Sequence, residues 1–160
     1  MNEKALLLIS NIEEDIQAIE EIFAALERYK LPDGLLSVED EDAMILIAYR
    51  LHNLYSAFEN IFLNVARTFE NQIDEKAGWH TQLLARMRLD LQPLRPPVID
   101  RAAFQALDEL LRFRHLFRHA YTVHLDPDRL RLVLQQARRL RGIYRPQLDA
   151  FIDFVRKLDS

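Results

Sequence analysis

From Met44 to Phe69 the apolar residues recur every three or four positions, with no glycine or proline among them. This spacing matches the turn of an α-helix and excludes the two-residue alternation of a β-strand. Ser37 and Asp40 add a capping-box-like start. The stripe predicts one helix over residues 38–74, long enough to form the spine of a bundle and to reach a second subunit.

The other apolar residues keep the same spacing between the few prolines and glycines of the chain. They predict four further helices, over residues 3–30, 79–87, 101–122 and 127–157. Asp100 is expected to cap the third of these, and Asp126 with Pro127 is expected to start the last.

The last predicted helix contains Gly142 and Pro146, and we expect it to bend there because proline removes a helical hydrogen bond. No strand pattern or internal repeat occurs. The fold class is therefore expected to be all-α, a mostly antiparallel bundle of about five helices. The length of residues 1–160 is typical of one domain, and we interpret them as a single domain.

The chain has no cysteine, which excludes a disulfide framework and a thiolate metal site. The apolar run ALLLI is far too short to span a membrane, and its acidic flanks do not fit a signal peptide. We expect a cytoplasmic protein with no membrane association. No metal-ligand motif and no glycine-rich phosphate loop is present, so we predict neither a metal nor a cofactor.

Charge is unevenly distributed along the chain. Residues 1–80 carry 6 Lys/Arg against 16 Asp/Glu, whereas residues 81–160 carry 15 against 9, and all but one of those 15 are arginine. Two explanations are open: solvated helix faces, or a basic surface for an anionic ligand such as RNA. Periodicity predicts that one face of the last helix carries Arg138, Arg141 and Arg145, and either explanation applies to that face.

The stretch RFRHLFRHAY, residues 112–121, is rich in ionisable side chains. At 3.6 residues per turn, Arg114 falls in the middle of the apolar face of the 101–122 helix, and Arg118 and Tyr121 fall beside it. A charged guanidinium on a core stripe costs several kcal/mol unless it is paired or lines a wet cleft. Either Arg114 forms a buried pair with a carboxylate, or the cluster is a catalytic site in which histidines act as general acid and base.

Arg114, His119 and Tyr121 form an R-x4-H-x-Y pattern at the end of this helix. With this pattern and the segments WHTQLLARM, RPPVID and LDPDRL, the chain resembles the HEPN superfamily, and within it the HepT-like toxins of MNT/HepT toxin–antitoxin pairs. The resemblance covers roughly residues 40–135.

The resemblance implies a metal-independent endoribonuclease toxin of a type VII-like pair, with two copies of the motif meeting in the cleft of a homodimer. His119 is then the acid or base, and Arg114 holds the scissile phosphate, so both are expected to line a cleft and not to fill the core. Tyr121 is the residue that a partner MNT-type nucleotidyltransferase, the antitoxin, modifies with AMP. Transfer RNA is the substrate class that the resemblance suggests.

His115 and Arg118 nearly duplicate the motif residues and share or replace their roles in an alternative assignment. Glu59, on the long helix, either orients Arg114 or is a surface carboxylate, and the sequence favours the surface. His80 is expected to pack at a helix start. The alternative function is a non-catalytic HEPN binding module, the substrate-binding subunit of a nucleotidyltransferase.

Overall fold

The computed structural model describes residues 2–29, 41–70, 76–118 and 125–158, and for residues 117 and 118 the backbone alone. These residues form six helices and no strand, which confirms the all-α fold class. The helices are α1 Glu3–Glu27, α2 Glu41–Phe69, α3 Trp79–Met87, α4 Arg101–Arg118, α5 Pro127–Arg141 and α6 Tyr144–Lys157.

Helix α2 is the spine of the bundle, as its unbroken apolar stripe predicts. It packs against α1, α3, α4 and α5. The stripe is inaccessible to solvent at Leu51, Leu54, Phe58, Phe62 and Val65. Because four helices share α2, residues on different sides of it are held in fixed positions relative to α3 and α4.

The chain from residue 127 to residue 157 is two helices, not the single bent helix that the periodicity predicts. Helix α5 ends at Arg141, and the amides of Gly142 and Ile143 bond back to Arg139 and Leu140. Within a continuous helix Pro146 would lose a hydrogen bond and clash with the preceding turn. A new start at Tyr144 puts Pro146 in the first turn of α6, where its missing N–H costs nothing.

The predicted caps of α4 and α5 are confirmed. The Asp100 carboxylate accepts from the Ala103 amide at 2.9 Å, and Asp126 caps α5 by accepting from Asp128 at 3.0 Å. Helices α1 and α2 end earlier than predicted, at Glu27 and Phe69. The capping box at Ser37 and the end of the 101–122 helix lie outside the described residues.

The proline-rich connection between α3 and α4 is tightly fixed by one buried arginine. Arg95 is fully buried and donates to the carbonyl oxygens of Arg86, Leu89 and Pro96 and to the carboxylate of Glu70. Glu70 follows the last residue of α2. Arg95 thereby anchors the connection to the end of the spine helix and fixes where α4 begins.

Ion pairs between the two halves of the chain neutralise part of the charge asymmetry. Three carboxylates of α1, spaced seven residues apart, form ion pairs with arginines of α5 and α6: Glu13 with Arg156, Glu20 with Arg145 and Glu27 with Arg141. Arg138 and Arg141 lie on α5 and Arg145 on α6, so the single face expected for these three arginines does not exist.

None of the described helices is both long enough and apolar enough to cross a bilayer.

Candidate functional site

Arg114 lies where α2, α3 and α4 meet. Its neighbours on the apolar face of α4 are buried, as the periodicity predicts, and Arg114 itself is 6% exposed. Its Nη2 donates to both carboxylate oxygens of Glu59, at 3.2 and 3.1 Å, and its Nη1 donates to the Ser56 hydroxyl at 3.3 Å. Arg114 therefore forms the buried arginine–carboxylate pair that was one of the two open explanations.

Helix α2 supplies three contacts to the guanidinium from one face. Tyr55, Ser56 and Glu59 are spaced so that successive helical turns bring them together. The Arg114 guanidinium carbon lies 4.7 Å from the centre of the Tyr55 ring, a cation–π contact. The arginine is thus held by a carboxylate, a hydroxyl and an aromatic face.

Glu59 is not a surface carboxylate, and that preferred interpretation of the sequence was wrong. It is 6% exposed and faces Arg114, because it lies at the edge of the α2 stripe that packs against α4. The available signal was a charged residue between Phe58 and Phe62, the same kind of anomaly that drew attention to Arg114. Tyr55 and Ser56 were missed because neither residue type is unusual on a helix.

His80 is part of the same cluster, and it does more than pack at a helix start. It follows Trp79 at the start of α3, and the two rings stack with centroids 3.7 Å apart. Its Nδ1 lies 2.8 Å from Glu59 Oε2 and 2.9 Å from Arg114 Nη2. His80 has this position because Gly78, with a left-handed φ of 82°, turns the chain into the start of α3.

The environment of Tyr55 keeps its hydroxyl protonated. Burial first, and the nearby Glu59 carboxylate second, raise the pKa of Tyr55 far above its ordinary value. Among the described residues its hydroxyl has no hydrogen-bond partner. Tyr55 therefore contributes its ring to the cluster and carries no charge there.

A cleft of about 460 Å³ opens beside this cluster, between the start of α3 and the second half of α4. Its wall includes His80, Thr81, Arg112, Arg114 and His115. Arg112 is exposed and pairs with Asp108 at 3.0 Å. Asp108 lines the cleft as well, so each of the two arginines on the wall is paired with a carboxylate. Two guanidinium groups on one wall are donors that a phosphate-bearing ligand fits.

The described structure covers part of the predicted site. It brings Arg114 and Glu59 together and places His115, an exposed residue, on the wall of the cleft. His119 and Tyr121 lie outside the described residues, as does the side chain of Arg118. The catalytic roles of the motif residues remain predictions.

Within residues 2–29, 41–70, 76–118 and 125–158, no cluster of three or more histidines and carboxylates is arranged to hold a metal ion.

The six-helix architecture is consistent with a HEPN-like fold. Comparison with known protein families matches residues 46–155 to the family described as HepT-like protein. The chain belongs to the HepT-like family, and membership indicates a toxin-like protein of the HEPN superfamily. No curated protein and no solved structure matches the chain.

Proposed function

We propose that the protein is a metal-independent endoribonuclease toxin of a toxin–antitoxin pair. The observation that carries this proposal is the position of Arg114, the first residue of the R-x4-H-x-Y pattern, at the wall of a cleft that a second arginine and two histidines also line. Membership of the HepT-like family supports it. RNA is the substrate, with transfer RNA as the class that the family resemblance suggests.

In the proposed reaction, the ribose 2′-oxygen attacks the adjacent phosphorus and the 5′-oxygen leaves. One group takes the 2′-OH proton, another protonates the leaving oxygen, and cations stabilise the charge on the phosphorane. His119 is the acid or base of the motif, and Arg114 holds the phosphate. Nη2 of Arg114 donates to the Glu59 carboxylate, so the phosphate binds Nη1. In this structure Nη1 donates to the Ser56 hydroxyl, which the phosphate would replace.

The proposal includes control by a partner. An MNT-type nucleotidyltransferase, the antitoxin, transfers AMP to Tyr121, and the added phosphodiester occupies the place of the RNA phosphate near Arg114. The active form is a cytoplasmic homodimer in which two copies of the 114–121 segment face each other. A monodisperse monomer at micromolar concentration in light scattering would contradict the dimer.

The test of the proposed function is expression of the chain alone, followed by cleavage of total cellular RNA by the purified protein. Growth arrest and cleavage are expected for the wild type, with or without EDTA, and both are expected to disappear in His119→Ala. Tyr121→Phe is expected to arrest growth even when the nucleotidyltransferase is co-expressed. Cleavage that stops on chelation, or that persists in His119→Ala, contradicts the mechanism.

One observation favours the second function, a non-catalytic binding subunit of a nucleotidyltransferase. Arg114 is almost fully buried and already satisfied by Glu59 and Ser56, as a structural arginine would be. A binding subunit would copurify with the nucleotidyltransferase and leave growth and RNA unaffected when expressed alone. The expression experiment therefore separates the two functions.

A further inference from the structure

We infer that His80 is the general base of the cleft, with Glu59 as the group that orients it. This inference rests on the proposed ribonuclease function and adds to it a proton-transfer group from the same protomer as Arg114. The R-x4-H-x-Y pattern supplies one histidine in each protomer, His119. His80 is a further histidine, and α3 brings it to the cleft wall beside Arg114 of the same chain.

The hydrogen bonds around Nδ1 determine which ring nitrogen of His80 is protonated. A neutral imidazole has one N–H, so Nδ1 cannot both donate to Glu59 and accept from Arg114. Glu59 Oε2 lies 2.8 Å from Nδ1, and two acceptors at that distance would repel each other. With the proton on Nδ1, the 2.9 Å contact to Arg114 Nη2 brings two donors together, but Nη2 already donates to Glu59 and that contact can lengthen. The shorter contact, from Nδ1 to Glu59, requires a proton between its two atoms, and we therefore assign the proton to Nδ1.

The other ring nitrogen, Nε2, then carries a lone pair. Among the described residues Nε2 has no hydrogen-bond partner, and it is not buried. The His80 side chain is 30% exposed and lines the cleft, so Nε2 is open to a ligand there. A carboxylate on Nδ1 with a free Nε2 is the arrangement that prepares a histidine to accept a proton.

Two contacts fix the His80 ring: Trp79 stacks on its face, and Glu59 bonds to Nδ1 at its edge. Arg114, bonded to the same carboxylate, would place the scissile phosphate beside the base. In the reaction, Nε2 takes the 2′-OH proton as the 2′-oxygen bonds to phosphorus. The P–O5′ bond breaks, and His119 donates the proton to the leaving oxygen. The products are a 2′,3′-cyclic phosphate and a 5′-hydroxyl.

The first measurement tests the base role on RNA. His80→Asn keeps a group near the position of Nδ1 that can bond Glu59 but removes Nε2. We expect cleavage of the natural RNA site to fall at least about 100-fold. Circular dichroism and thermal unfolding establish that the variant is folded. His52→Asn, the same substitution on α2 outside the cleft wall, is the matched control and is expected to keep wild-type activity.

The second measurement separates base from acid. An oligoribonucleotide containing the natural cleavage site is made with sulfur in place of the bridging 5′-oxygen, because a thiolate leaves without being protonated. This substrate is expected to restore cleavage by His119→Ala and not by His80→Asn. Restoration in His80→Asn, or unchanged cleavage of natural RNA by that variant, overturns the base role while the ribonuclease function stands. If His115→Asn shows the loss expected of His80→Asn and His80→Asn does not, the base is His115.

The third measurement does not depend on activity. Long-range proton–nitrogen correlation spectra of histidine-labelled protein, recorded well above the ordinary pKa of histidine, report which ring nitrogen is protonated. His80, assigned by its absence in His80→Asn, is expected to be protonated on Nδ1, and Glu59→Gln is expected to lose that preference. Protonation on Nε2 overturns the inference. A wild type that cleaves no RNA overturns the ribonuclease function and the base role with it, whatever the tautomer.

Discussion

Two carboxylates, one on α2 and one immediately after its last residue, lie about three helical turns apart, and each holds a buried arginine from elsewhere in the chain. Glu70 pairs with Arg95 and Glu59 pairs with Arg114. Arg95 is completely buried, and three of its four partner groups are backbone carbonyls. The partners of Arg114 are all side chains, and one side of it borders a cleft.

The difference separates a structural arginine from a candidate functional one. Backbone carbonyls at fixed positions accept most of the hydrogen bonds of Arg95, so its role is to hold the loop. Side-chain partners can rearrange when a ligand arrives, and a guanidinium held by a hydroxyl on one side can exchange that contact for a phosphate oxygen. Burial alone does not distinguish the two arginines, whereas the identity of their partners does.

The largest effect is expected for Arg95→Met. The substitution removes a donor to three backbone carbonyls and the main partner of the Glu70 carboxylate, so we expect the free energy of unfolding to fall by at least about 3 kcal/mol. Urea denaturation measures it. A loss below about 1 kcal/mol would show that the 88–100 connection does not depend on this arginine.

Replacing both members of each pair sharpens the comparison. Glu59→Leu with Arg114→Met removes two charges that mainly satisfy each other, and the free energy of unfolding is expected to stay within about 1 kcal/mol of the wild type. Glu70→Leu with Arg95→Met is expected to remain about 2 kcal/mol or more below the wild type, because the carbonyls of Leu89 and Pro96 lose the donor that Arg95 supplies.

The single variant Arg114→Ala is a poor test of catalysis, although the sequence suggested that it would leave the fold intact. It leaves the buried Glu59 carboxylate without its arginine, and such losses amount to about 3–5 kcal/mol where no other partner remains. His80 still contacts Glu59, so the expected loss is at the lower end of that range. The double replacement at Glu59 and Arg114 avoids the unpaired charge and should abolish RNA cleavage in a folded protein.

Apart from the break between α5 and α6, periodicity predicted the helices because each is fixed by its own residues. The stripe of α2 and the Asp126–Pro127 start of α5 depend on contacts within a few positions of the chain. The same helical periodicity placed Arg114 on a buried face of α4. What periodicity cannot give is the rotation of one helix against another, and so it could not pair Arg114 with Glu59, 55 residues earlier.

Two features of the site and its surroundings left almost no signal in the sequence. Arg95 lies in a proline-rich loop, where an arginine is ordinarily solvated, and nothing local indicates that it is fully buried. His80 reaches the cluster because Gly78 and the anchored 88–100 connection place α3 against α2 and α4. Both positions follow from packing between elements that are distant in the chain.

A smaller change in the free energy of unfolding is expected for Tyr55→Phe, which tests whether the ring or the hydroxyl of Tyr55 stabilises the Arg114 cluster. Tyr55→Phe keeps the ring face under the guanidinium and removes a buried hydroxyl that has no partner among the described residues. We expect the free energy of unfolding to rise by up to about 1 kcal/mol.

The matched control for Tyr55→Phe is Tyr144→Phe, the same substitution at a buried tyrosine whose hydroxyl donates to Glu20. Burial and that bond raise the pKa of Tyr144 well above its ordinary value, so the phenol stays protonated and the bond persists at all ordinary pH values. Tyr144→Phe is expected to lose about 1 kcal/mol. Equal losses in both variants would mean that the Tyr55 hydroxyl is satisfied.

The smallest effect is expected for Arg145→Ala, which removes an arginine that is paired but exposed. Arg145 contacts Glu20 and Asp149, each at 3.2 Å, with about half of each side chain open to solvent. Water and salt screen such pairs, so the loss should be about 0.2–1 kcal/mol and should shrink further at about 1 M salt. Arg95→Met, measured in the same salt series, is expected to keep its full effect because backbone carbonyls and not exposed charges hold that guanidinium. If the two variants respond to salt alike, the contrast between an arginine held by the backbone and arginines held by other charges is wrong.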